Sequence, residues 1–228
     1  ASRRFVAAST KGDVAAFDEN GAVRWSARVD AGVYASPVFR GDAVTVIDQS
    51  GDVSMFAVTD GALRWTAKLG DIVRVTAPIL LGDRFVVPSA SGWVHEISPT
   101  TGAVSRVHKG HGPPAGPVLR IDVCDRSPGV DVAFADGVVQ ALSADIARVH
   151  WERNFGEVTA APVASDGEIA VPTRNTLRFV MATDGSESGL IHFPREIRFV
   201  TATSIGGYLV VTDGGVIVFV HRAHRSPT

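Results

Sequence analysis

Two residues of this 228-residue chain could move protons and stand in short polar segments between apolar runs. Glu157 lies in Gly156-Glu157-Val158-Thr159, and His111 opens His111-Gly112-Pro113-Pro114. Carboxylate and imidazole are the commonest general acid–base groups. Arg74, Arg174 and Arg198 stand in comparable segments, and a guanidinium holds an anion through planar, paired hydrogen bonds. Tyr34 and Trp93 offer an aromatic wall, and Gln49 a polar group that orients a ligand. Together they have the content of a pocket for a small anionic molecule. In an enzyme of the lyase, cyclase or isomerase kind, Glu157 or His111 would be the acid–base, and Arg74 or Arg198 would hold the developing anion.

Other constellations carry less chemistry. His108 and His111 are three residues apart, as are His221 and His224. That spacing chelates a metal on a helix and means little on a loop, so no metal site is expected. Gly185-Ser186-Glu187-Ser188-Gly189 resembles a nucleophile elbow but has Glu187 at its centre. Asp122, Asp125 and Asp131 lack the alternating pattern of a calcium loop. One cysteine, Cys124, excludes both an intrachain disulfide and a cysteine-built zinc site.

The elements that must position these residues come from a repeat. A small residue, Pro and an apolar residue recur around Pro37, Pro78, Pro117 and Pro162, with Thr203 in a degenerate fifth copy. The interval is about 40 residues, the scale of repeat architectures. Gly12, Gly51, Gly92, Gly137 and Gly214 precede short apolar strands in step with it, and Asn175 takes that place in the fifth unit. Units end on Trp25 and Trp65, with a weaker echo at Trp151. Segments such as Ala43–Ile47 and Tyr208–Val211 are β-branched and apolar, and Gly-Asp, Asp-Gly and Gly-Gly pairs separate them. No stretch holds a capped helical period. The expected fold is all-β: a β-propeller of four-stranded antiparallel blades, about six, with five as the alternative. One domain is expected over residues 1–228. The first blade lacks its inner strand and the last its outer strand.

The unit resembles the PQQ-like repeat of the quinoprotein-like β-propellers, most closely from Val14 to Trp25 and from Val53 to Trp65. The resemblance implies that Trp25, Trp65 and Trp151 dock blade on blade. True quinoproteins bind PQQ and calcium through added loops and often a vicinal cysteine pair, which one cysteine cannot supply. The chain is therefore read as a degenerate member without the PQQ site and without a cofactor. In such propellers the connections entering each inner strand share one face with the turns between second and third strands. Tyr34, Arg74, His111, Glu157 and Arg198 lie on the former, and Lys11, Asp48, Gln49, Trp93, Arg174 and Asn175 on the latter.

Bulk properties narrow the partners. The net charge of −2 argues against nucleic acid, which needs a basic field. Only Lys11, Lys68 and Lys109 among the 22 basic residues are lysines, a bias of the kind a GC-rich, bacterial genome gives. No apolar run reaches the length of about 18 residues that a membrane helix needs. The start at Ala1 carries no intact signal peptide. The compartment stays open, with a soluble cytoplasmic protein slightly favoured and a cleaved signal or a longer parent protein compatible. Two functions remain: a non-catalytic binding or scaffolding module presenting one loop face to a protein partner or small ligand, and the cofactor-free enzyme outlined above.

Overall fold

A computed structural model of the chain describes residues 4–73, 77–123, 127–204 and 206–221. Arg74, Cys124, Asp125 and His224 lie outside the described residues. Every regular element among the described residues is a β-strand, and the strands form six antiparallel sheets in sequence order. Contacts divide the chain into two compact units between Pro113 and Pro114.

The first unit holds three sheets. The first contains β1 (Phe5–Ala8), β2 (Asp13–Phe17) and β3 (Val23–Arg28). The second contains β4 (Val38–Arg40), β5 (Ala43–Ile47), β6 (Asp52–Ala57) and β7 (Leu63–Lys68). The third contains β8 (Ile79–Leu81), β9 (Arg84–Pro88), β10 (Trp93–Ile97) and β11 (Val104–Lys109). The middle strands are buried on both faces, as β5 and β6 show, whereas β7 is mostly exposed. Val14, Ala16 and Trp25 pack on Val44, Val46 and Phe56 between the first and second sheets. Ala43, Ile47 and Met55 pack on Phe85, Val87 and Ile97 between the second and third.

The second unit repeats the plan. Its first sheet, the fourth of the chain, contains β12 (Leu119–Val123), β13 (Ser127–Ala133), β14 (Val138–Ser143) and β15 (Val149–Asn154). The fifth contains β16 (Val163–Ser165), β17 (Glu168–Thr173), β18 (Thr176–Met181) and β19 (Glu187–His192). The sixth contains β20 (Ile197–Ala202), β21 (Tyr208–Thr212) and β22 (Ile217–Val220). As the repeat implied, the first and sixth sheets have three strands and the others four.

Three pairs of neighbouring sheets are joined by one recurring contact. Trp25 on β3 donates its Nε1–H to the Val58 carbonyl of the second sheet at 2.9 Å, and its ring covers Gly61. Trp65 on β7 does the same to Pro99 at 2.9 Å, over Gly102. Trp151 on β15 bonds Ala182 at 2.8 Å, over Gly185. The glycine is required twice over. Gly61 has φ +75, and a Cβ there would lie 2.7 Å from the Trp25 ring.

Turn length decides where the contact forms. In the second, third and fifth sheets the turn before the outer strand is closed by Gly61, Gly102 and Gly185, which donate to Ala57, Ser98 and Met181, four residues back. The carbonyl one step on is thereby left to the indole. In the first and fourth sheets the turn is one residue tighter: Gly21 donates to Asp18 and Ile146 to Ser143. Ile146 holds the left-handed conformation, φ +49, where the other turns have glycine, and it is fully buried. A β-branched residue there is strained, and burial of its side chain offsets the cost.

Asp131 is an acidic residue of the core. It sits mid-strand on β13, opposite Leu119 and Ala141, and is 1% exposed. Neither carboxyl oxygen has a hydrogen-bond partner, and burial pushes the group well above the usual carboxylate range. Thr45 and Val86 stand at the matching positions of β5 and β9, opposite Met55 and Glu96.

Three outcomes follow from this packing. Gly61→Ala is expected to cost more than about 1 kcal/mol of unfolding free energy in urea, because strain and ring clash add. Trp151→Ala is expected to cost about 3–5 kcal/mol, through the cavity and the orphaned Ala182 carbonyl. For Asp131 the folded state favours the protonated carboxyl. Its penalty is absent below the unfolded value near 3.8 and grows as pH rises. Asp131→Val is therefore expected to stabilise the protein by on the order of 2 kcal/mol at neutral pH. That gain should shrink towards pH 4 in a melting series; a gain constant with pH would mean that the carboxyl is not held neutral.

Candidate functional site

Within each unit the connections between sheets are sewn to the turns between second and third strands. In the first unit the link after β3 meets the turn it leaves, Val29 donating to Gly12 at 2.9 Å. It also meets the turn it enters, where Gln49 donates to Gly32 at 2.9 Å. The next link repeats this: Leu69 donates to Gly51, and Ala90 to Ile72. Asp48 strengthens the first join by accepting from the Ala31 N–H at 3.2 Å and from Ser50 and Asp52. Links and turns thus share one end of the sheets, held by backbone bonds.

On the first unit this end carries Tyr34, Gln49, Trp93 and His111. Tyr34 is half exposed and lies against Gly32, to which Gln49 is bonded. Ile72, on the second link, is also about half exposed. Trp93 opens β10, with Arg106 5.7 Å and Lys109 5.3 Å from its ring centroid. His111 is exposed and adjoins Gly112, which packs on the Gly92 turn beside Trp93. Arg74 falls outside the described residues.

In the second unit Glu157 and Arg174 meet: Arg174 Nε donates to Glu157 Oε2 at 2.9 Å, with both side chains largely exposed. Arg174 has φ +43, and its carbonyl accepts from Ile197 at 2.5 Å. Arg198 forks onto Asp213 at 2.6 and 2.9 Å and lies 3.2 Å from Glu196. The hydrogen bond to Asp213 raises the guanidinium further, and Arg198 holds the Asp213 carboxyl below its usual range. Two of the three arginines named as anion holders are thus already answered by carboxylates of the same chain.

Two clefts lie between sheets, and the first reaches the link-and-turn end at Asp30 and Asp48. One of about 240 Å³ opens between the first and second sheets, lined by Arg28, Asp30, Asp48, Asp52 and Phe56 among others. Another of about 340 Å³ lies between the fourth and fifth, lined by Arg120, Ser165, Asp166 and Glu168 among others. Among the described residues no group of three or more His, Cys, Asp or Glu could hold a metal ion.

A polar chain runs from the exposed Ser91 through Asp71 to the buried Ser89 and His95. Asp71 accepts from the hydroxyls of Ser89, at 2.7 Å, and Ser91. Ser89 Oγ lies 3.2 Å from His95 Nε2. The residue types are those of a nucleophilic triad, but the order puts serine in the middle, and Ser89 and His95 are both fully buried. Burial first, then the Arg106 charge, lowers the His95 pKa and favours the neutral ring. The chain is a packed polar seam.

Sequence reasoning missed Arg106 and Lys109. The available signal was positional: Arg106 stands four residues after Gly102, where Trp65 stands four after Gly61.

Comparisons with known proteins agree with this architecture. The sequence profile described as outer membrane protein assembly factor BamB matches residues 1–188. No curated protein matches the chain. The crystal structure of BamB from Moraxella catarrhalis superposes with a TM-score of 0.68 at 18% identity, covering 93% of this chain and 68% of that one. Six sheets of three or four antiparallel strands agree with a propeller of about six blades. The chain therefore belongs to the BamB family of PQQ-like β-propellers.

Proposed function

We propose that this chain is a non-catalytic docking module that works as one domain and presents the link-and-turn end of its sheets to a protein partner. The observation that carries this reading is the rigid display of Tyr34, Ile72 and Trp93 at that end of the first unit. Exposed aromatic and aliphatic side chains beside arginine make up the composition of interface hot spots. Loops on a rigid scaffold bind without the entropy cost of ordering a flexible surface. The matching profile's description, an assembly factor, agrees with a docking role.

Glu157 is open to solvent and bonded to Arg174, unlike the dry setting that tunes a catalytic acid–base. Arg174 and Arg198 are engaged by carboxylates, so an anion would have to displace them. Both observations favour docking over turnover of a small anionic metabolite. Among the described residues no helix is long and apolar enough to cross a membrane.

A photo-crosslinking amino acid placed at Tyr34 or Ile72 tests the reading in cells. Discrete protein adducts are expected from these sites and not from Asp83, which is exposed at the opposite end of the third sheet. A second substitution, Trp93→Ala, should reduce the adducts severalfold. Equal adducts from Asp83, or none from either end, would refute the assignment of this face.

A further inference from the structure

We propose that Trp93, Arg106 and Lys109 form a docking site for a carboxylate-bearing segment of a protein partner. The inference rests on the docking role above and supplies the chemistry of the partner.

The site is built by a displaced β-bulge. In the first, second, fourth and fifth sheets the outer strand is bulged just after its turn, opposite Ala16/Phe17, Met55/Phe56, Ala141/Leu142 and Phe179/Val180. That register sets Trp25, Trp65 and Trp151 opposite Ala16, Met55 and Ala141, on the face that docks to the next sheet. In the third sheet the bulge lies two residues farther from the turn, opposite Val94/His95. Arg106, at the tryptophan's place in the repeat, now pairs with His95, and Lys109 pairs with Trp93. A shift in register moves a side chain to the other face of a strand, and bulges commonly re-aim side chains at functional sites. Arg106 is turned onto the face of Trp93 and His95, and both cations come over one indole.

The charges there are left over. In the same unit Arg24, Arg28, Arg64, Lys68 and Arg84 each hold a carboxylate, at 2.5 to 2.8 Å. Among the described residues neither Arg106 nor Lys109 pairs with one. Lys109 donates to the Ser91 carbonyl, and Asp71, the carboxylate of this seam, is taken up by Ser89 and Ser91. Two exposed cations on one ring repel each other, and burying the ring against a partner would raise that cost unless an anion comes with it. A segment with an apolar side chain for Trp93 and flanking carboxylates for Arg106 and Lys109 satisfies all three groups.

The test measures fluorescence anisotropy of a labelled Glu-Glu-Phe-Glu-Glu peptide, with its Gln-Gln-Phe-Gln-Gln counterpart, against the full chain. The acidic peptide is expected to bind at least about tenfold more tightly and to weaken with added salt. Arg106→Gln and Lys109→Gln are each expected to weaken it severalfold, with partial rescue by Arg106→Lys. Both side chains are exposed, so melting temperatures should stay level; if Arg106→Gln unfolds, Lys109→Gln carries the reading. Equal affinity for the two peptides, or binding indifferent to both substitutions, would overturn the site. Were crosslinking at Tyr34 to persist in that case, the docking face would stand and only its acidic partner would fall.

Discussion

The contact between an outer-strand indole and a glycine turn is the constraint on which each unit depends. A four-stranded sheet of this size cannot bury both faces by itself. Each sheet therefore needs a fixed partner, and a merely apolar seam would let sheets slide. The indole supplies direction: its N–H must reach the Val58, Pro99 or Ala182 carbonyl while its ring lies flat on a residue without a Cβ. This one contact sets the spacing and registration of adjacent sheets. The linking segments and turns are in turn held to one another by backbone bonds such as Gln49 to Gly32.

Not every outer strand makes the contact: β19 of the fifth sheet carries Gly189 at the tryptophan's place. Trp25 and Trp65 join the three sheets of the first unit, and Trp151 joins the fourth sheet to the fifth. The outer strand of the third sheet carries Arg106 at that place, and the first sheet of each unit has the tight turn, closed by Gly21 or Ile146. Where tryptophan is absent the position is released for other uses. In the third sheet a bulge moved by two residues turns the released position into a charged, exposed one beside Trp93.

Polar groups within the seams show the same economy of position. Thr45 and Asp131 occupy equivalent places on β5 and β13, and both are buried with an unpartnered oxygen. Their strands hold because the surrounding aliphatic packing outweighs one unsatisfied group in each. Exposed charges, in contrast, are spent in pairs: Arg174 with Glu157, Arg198 with Asp213, Arg64 with Asp42. This distinguishes residues that hold the surface together from those left to meet a partner.

Much of this was legible in the sequence. The period of about 40 residues, the turn glycines and the Trp-ended units follow from local chemistry, because hairpin turns and β-branched runs restrict the backbone wherever they occur. They determined an all-β repeat and its strand count at both ends, and the family resemblance they carry implied the docking role of Trp25, Trp65 and Trp151. Of the residues read as links, Tyr34, His111 and Glu157 lie on connections between sheets, whereas Arg198 falls inside β20, because the inner strand of the sixth sheet begins earlier than its degenerate repeat suggests. What they touch was decided only in three dimensions. That Arg198 on β20 is gripped by Asp213, fifteen residues on, and Glu157 by Arg174, seventeen on, depends on turns folding back on the segments before them. That Asp131 is buried and Arg106 faces Trp93 depends on strand register. A side-chain period of two makes a single displaced bulge reverse the face of a residue, and nothing in the letters near Arg106 announces where that bulge falls.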